Sequence, residues 1–154
     1  MDRKPKWIKA ERIEREAVFE LKAEAARVFP LLCPVLEYEW IPDWRCTMLY
    51  SESGVAEKDG VFTTRQFGKK TLWCCITYEP PRLVEYILAM GSGALVRLSI
   101  RLEETGASTR VIWTMRFTMT RLNARLASGV TSEAGFEAMT GARRRQLEAY
   151  FADH

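Results

Sequence analysis

The sequence predicts an α+β domain: a seven-stranded antiparallel sheet curled around one long C-terminal helix, with two short helices between the first two strands. Within a chain of 154 residues, six strand-like runs follow one another between residues 45 and 120. Only short turn signals separate them, which implies antiparallel neighbours rather than crossovers. A helical period long enough to cover such a sheet returns only after residue 132. The third observation is Thr71–Met90, TLWCCITYEPPRLVEYILAM. By alternation, Trp73, Cys75 and Thr77 share one face, and Leu72, Cys74, Ile76 and Tyr78 share the other. Both faces are largely apolar. A strand needs that only if protein covers both sides or one side lines an enclosed space, so the stretch points to a cavity.

Residues 1–10 read as a charged lead-in to a single domain that occupies the rest of 1–154. Arg12–Leu21 alternates, with Ile13, Ala17, Phe19 and Leu21 against Glu16, Val18 and Glu20, and reads as the first strand. Over Lys22–Leu32 the period changes. Ala23, Ala26, Val28, Phe29 and Leu32 suit a short helix, which Pro34 ends. Val35–Trp44 is a second short helical piece closed by Pro42. Strands are expected over Arg45–Ser51, Val61–Phe67, Thr71–Tyr78, Leu83–Met90, Leu95–Glu103 and Arg110–Thr120. The turns between them are marked by Ser53–Gly54, Lys58–Asp59–Gly60, Gly68, Pro80–Pro81, Gly91–Ser92–Gly93 and Thr105–Gly106. Residues 121–131 suit a loop with a helical turn. Ser132 is a good N-cap for the closing helix, which runs to about Ala152. Its stripe is Phe136, Met139, Arg143, Leu147, Tyr150 and Phe151.

Hydrophobic residues make up 47% of the chain and charged residues 28%, with a net charge of +3. That charge is too mild to indicate nucleic acid, and no apolar run is long enough to span a membrane. The basic N-terminal stretch lacks the apolar core of a secretory signal. No CxxC occurs among Cys33, Cys46, Cys74 and Cys75, so neither a zinc site nor a redox motif is expected. Reduced thiols in a cytoplasmic protein are. The single histidine, His154, is the last residue of the sequence. Hydroxyl or thiol nucleophiles that depend on a positioned imidazole are therefore not supported. No metal or cofactor is expected.

Candidate cavity residues follow from the strand faces. On the last strand they are Trp113, Met115 and Phe117, with Met119 beyond, facing Phe136 and Met139 of the helix. From earlier strands come Met48 and Tyr50, Trp73 and Cys75, then Tyr86, Leu88 and Met90, and Leu98 and Ile100. Trp40 and Trp44 flank Pro42 near the mouth, where they either gate and stack on a ring or anchor the short helices. Methionine suits an adaptable lining. Glu37, Glu39 and Asp43 cluster near the same mouth. They are either an acid–base group or a solvated face, and solvation is the reading the pattern favours. Arg143–Arg144–Arg145 spreads over about 200° of helix, so it reads as a solvated face, with Glu148 as the i+4 partner of Arg144. Arg65 is expected to be exposed. No catalytic residue is assigned.

Three segments carry a resemblance to a known family: FPLLCPVLEYEWIPDW, TYEPPRLVEY and FEAMTGARRRQLEAYF. Together with the element order they make the chain, over about residues 12–152, similar to the helix-grip superfamily of START and Bet v 1-like (SRPBCC) proteins. It looks nearest to the polyketide cyclase/dehydrase and lipid-transport branch. The resemblance implies a pocket between the concave sheet and the closing helix that takes a small apolar or amphipathic molecule, lipid-like or aromatic. It also implies two alternatives: a cofactor-free cyclase or dehydrase, and a protein-interaction module like the chaperone activators. A monomer or homodimer is expected, with no nucleic-acid partner.

Overall fold

A computed structural model of the chain describes residues 3–8, 10–66, 69–91, 93–121 and 129–154. The expected turn signals at Gly68 and Ser92 and most of the loop over 121–131 lie outside these residues. The strands are β1 (Arg12–Leu21), β2 (Cys46–Tyr50), β3 (Val61–Gln66), β4 (Lys69–Glu79), β5 (Leu83–Met90), β6 (Ala94–Thr105) and β7 (Ser108–Met119). They form one antiparallel sheet in the order β1-β7-β6-β5-β4-β3-β2. A short helix, α1 (Ala25–Val28), continues into a 3-10 turn over Phe29–Leu32, and a second 3-10 turn follows at Glu37–Glu39. The long helix α2 (Glu133–Asp153) closes the chain. Ser132 caps it as expected, its Oγ accepting from Gly135 N at 3.0 Å. This is the predicted helix-grip architecture.

Inward residues meet in rows across the strands. One row runs Phe62, Trp73, Leu88, Val96, Phe117; the next runs Cys75, Tyr86, Leu98, Met115. Burial of these apolar rows against Phe136 and Leu147 of α2, both essentially inaccessible, supplies most of the drive for the sheet to curl. Pro80–Pro81, joined by a cis peptide bond, makes the turn between β4 and β5.

Two bulges correct the simple alternation. In β2 the register shifts between Met48 and Tyr50, so Tyr50 pairs with outward-facing Val61. An inserted residue reverses every side chain beyond it. Tyr50 is therefore 52% exposed rather than inward, and its hydroxyl donates to Glu52 Oε1 at 2.9 Å. In β4 the shift lies between Cys75 and Thr77, which pairs Thr77 with Glu85 and Tyr78 with inward Val84. Thr77 thus faces out and Tyr78 in, against the expected faces. Tyr78 packs its ring 5.4 Å from that of Phe29.

Candidate functional site

Among the described residues, a cavity of about 50 Å³ lies between the sheet, the short helices and α2. It is lined by Ile41, Trp44, Phe62, Trp73, Tyr86, Leu88, Met90, Leu98, Trp113, Met115, Val130 and Met139, together with two ionisable side chains, Glu37 and Arg143. A volume of this size holds a few water molecules. Drug-sized ligand pockets run to about 300–1,000 Å³. Three of the lining side chains, Met90, Met115 and Met139, are the flexible kind that repack at low cost.

The aromatic wall is a connected cluster. Phe62 stacks on Trp73 at 5.2 Å and 20°, and Trp44 and Tyr86 meet Trp73 edge-on. Most polar tips in the wall are satisfied. Trp73 Nε1 donates to Thr64 Oγ1 at 2.8 Å, Trp44 Nε1 to the Pro34 carbonyl at 2.8 Å, and the Tyr86 hydroxyl to the Leu32 carbonyl at 2.8 Å. Trp113 Nε1 is buried and meets no acceptor among the described residues. A buried donor left unpaired costs about 1–3 kcal/mol.

Glu37 is carried in by the irregular stretch between α1 and β2. Its backbone N donates to the Cys33 carbonyl at 2.9 Å and its carbonyl accepts from Ile41 N at 2.8 Å. The adjoining Tyr38 oxygen accepts from Cys46 N at 2.8 Å, tying the turn to β2. The Glu37 carboxyl has no hydrogen-bond donor among the described residues. Burial pushes it up from its ordinary 4.5 to about 8, against a downward pull from the Arg143 guanidinium. Arg143 reaches the cavity from the middle of α2, and burial lowers its own affinity for a proton. Its hydrogen bond runs along its own helix, from Nη1 to Gln146 Oε1 at 2.9 Å, rather than to Glu37.

Of the residues expected around the cavity, Trp44, Trp73, Tyr86, Leu88, Met90, Leu98, Trp113, Met115 and Met139 line it. Ile100, Phe117 and Phe136 are buried in the packed core behind the lining. Cys75 is buried beside the β4 bulge, and burial pushes its thiol up to about 12. Trp40 is an anchor: it is buried and donates from Nε1 to the Leu31 carbonyl at 2.7 Å. Met48 is half-buried against the core edge, and Tyr50 is outside for the reason given above. Arg65 is exposed.

Sequence reasoning passed over Ile41, Phe62 and Val130, and it read Glu37 and Arg143 as solvated. For Arg143 a signal was present: it sits four residues after Met139 and four before Leu147, on the apolar stripe. For Glu37 there was none, because a single 3-10 turn has no period to read. Among the described residues no group of three or more His, Cys, Asp or Glu side chains is placed to hold a metal ion. No helix among them is long and apolar enough to cross a membrane.

Comparison with known proteins agrees with this fold. The family model described as polyketide cyclase / dehydrase and lipid transport matches residues 12–151. No curated protein matches the chain. Among solved structures, norcoclaurine synthase from Thalictrum flavum, in complex with dopamine and hydroxybenzaldehyde, superposes with a TM-score of 0.72 at 11% identity. That match covers 100% of this chain and 96% of the synthase. A protein from Rhizobium leguminosarum superposes with a TM-score of 0.65 at 14% identity, over 96% of this chain and 100% of its own. One from Rhizobium loti gives 0.63 at 18%, over 91% and 99%. At these identities the likeness is one of fold.

Proposed function

The chain belongs to the polyketide cyclase/dehydrase and lipid transport family, and on that premise we propose that it binds a small apolar or amphipathic molecule in the cavity between sheet and α2. The observation that carries this reading is the pairing of an apolar, aromatic wall with two ionisable groups that the fold leaves without a mutual ion pair. Apolar pockets with few placed polar groups are the common form of small-molecule site. Folding alone gains nothing from a carboxyl and a guanidinium held in such surroundings. At about 50 Å³ the cavity admits a ligand only by moving methionines, so binding is accompanied by repacking. Four free cysteines support the expectation of a reducing, cytoplasmic setting.

Native mass spectrometry of freshly purified protein, followed by thermal unfolding against fatty and aromatic compounds, tests the proposal. A bound ligand stabilises by about 2.7 kcal/mol at a hundredfold excess over its Kd. Absence of a co-purified molecule together with no stabilisation across the series would sink it.

One observation favours an enzymatic second reading. A carboxyl at about 8 in an apolar cavity is matched to proton transfer near neutral pH. A cyclase- or dehydrase-like reaction on a polyketide-like chain would then lose about 10²–10⁴-fold in rate on Glu37→Gln. An unchanged rate would reject that role.

A further inference from the structure

The two charged side chains define what sort of molecule the cavity selects. Arg143 brings a guanidinium with five donors, and one hydrogen bond is used, to Gln146. Its helix neighbour Arg144 is neutralised by Glu148 at 2.8 Å, whereas Arg143 has no carboxylate within ion-pair distance among the described residues. Glu37 is held in its protonated form at neutral pH, so it offers an O–H donor and no compensating charge. Trp113 Nε1, in the same lining, is buried with no acceptor among the described residues. The cavity lining thus carries one positive charge and several hydrogen-bond donors. An acceptor with two oxygens and a negative charge satisfies it, and a carboxylate on a guanidinium is the geometry that does so best. The remaining wall, with Phe62 stacked on Trp73 and Trp44 edge-on, suits a flat ring.

We propose that the cavity binds an aromatic carboxylate, its ring against Trp44, Trp73 and Trp113 and its charge between Arg143 and Glu37. This rests on the small-molecule reading above and narrows it to one charge class. Because Glu37 donates to the bound anion only while protonated, binding weakens as Glu37 ionises. The groups facing Glu37 are Arg143 of α2, Tyr86 of β5 and Cys46 of β2. Burial pushes both Tyr86 and Cys46 upward, so Glu37 is the group that changes charge between pH 6 and about 9.

The test compares three ring-matched probes by calorimetry: 2-naphthoate, 2-naphthalenemethanol and 2-naphthalenemethylammonium. Wild-type protein should bind the carboxylate at least about tenfold more tightly than the alcohol, and the ammonium least. Carboxylate affinity should fall about tenfold from pH 6 to pH 9. Glu37→Gln should abolish that pH dependence. Arg143→Gln should remove the preference for the anion over the alcohol, while Arg143→Lys retains part of that preference. If wild-type protein binds the alcohol or the ammonium as tightly as the carboxylate, the charge assignment is overturned and the small-molecule reading stands. If none of the three binds at millimolar concentration while fatty compounds stabilise the protein, the aromatic-carboxylate assignment is overturned and the small-molecule reading stands; if those fail as well, both are overturned. The wild-type probe ranking and pH profile need no variant to fold.

Discussion

Glu37–Arg143 in the cavity and Glu85–Arg97 on the outer sheet face contain the same two side chains, and their environments drive the two acids in opposite directions. Glu85 is also desolvated, its side chain being only 14% exposed. Yet Arg97 Nη2 lies 3.1 Å from Glu85 Oε1, and the Thr77 hydroxyl donates to the same oxygen at 2.8 Å. Burial pushes Glu85 up, and these hydrogen bonds and the Arg97 charge outweigh it, leaving it below its ordinary value. Glu37 feels a guanidinium but makes no hydrogen bond to it, and burial prevails, to about 8. A nearby charge alone does not offset desolvation; direct hydrogen bonds do. The outer pair is hydrogen-bonded into the sheet, and the inner pair makes no such bond between its members.

The largest expected consequence is a split in the pH dependence of stability. Between about pH 4.5 and 8 the unfolded chain has released the Glu37 proton that the folded chain keeps. Stability should therefore fall as pH rises through that window, with a limiting slope of about 1.4 kcal/mol per pH unit. Glu85 acts with the opposite sign and elsewhere. Its lowered value gives stability that is present above its unfolded value and lost as pH falls through the folded one. Urea unfolding from pH 3 to 9 should show both limbs. Glu37→Gln should flatten the neutral limb alone and Glu85→Gln the acid limb alone; a wild-type curve flat from pH 5 to 8 would contradict the upward shift of Glu37.

Replacing each pair sharpens the contrast at smaller amplitude. The double variant Glu37→Met, Arg143→Met removes a desolvated carboxyl and a desolvated guanidinium, and should stabilise the protein by about 1–4 kcal/mol at pH 7. A loss of stability would show that the inner pair is structural. Arg97→Met, by contrast, strips Glu85 of its main partner and should cost about 1 kcal/mol. Thr77→Val should cost a similar amount, because the same carboxylate oxygen loses its second donor.

How these pairs came to be placed was only partly legible in the sequence. Strand parity was readable wherever alternation is unbroken, so the rows Trp73–Leu88 and Leu98–Met115 could be assigned to one face from composition alone. Parity fails at a bulge, since an inserted residue leaves no compositional mark. That is why Tyr50 was expected inside and Thr77 on the face of Trp73 and Cys75, and why the Thr77–Glu85–Arg97 network on the outer face was invisible. The apolar outer face of β4–β5 has a matching outcome: Leu72 remains 45% exposed, so the second apolar face was not a sign of a second covering layer. Glu37 illustrates a different limit. Its neighbours Leu36 and Tyr38 carry no period within one 3-10 turn, and only the assembled fold shows that it shares a cavity with Arg143, more than a hundred residues away.

The smallest effect belongs to a third Glu–Arg pair, which completes the gradient of exposure. Arg144 Nε lies 2.8 Å from Glu148 Oε1, i to i+4 on the solvent face of α2, with side chains 51% and 47% exposed. Water screens this pair, and two long side chains lose rotamer freedom to make it. Arg144→Gln should therefore cost only about 0.3–0.5 kcal/mol, and that small term should vanish in molar salt. The Arg97 effect, protected by the burial of Glu85, should persist in the same salt. If Arg144→Gln instead cost as much as Arg97→Met, exposure would not be what separates the pairs, and the distinction between Arg143 and its neighbour on the same helix would lose its physical basis. Melts of both variants at low and high salt decide between these outcomes.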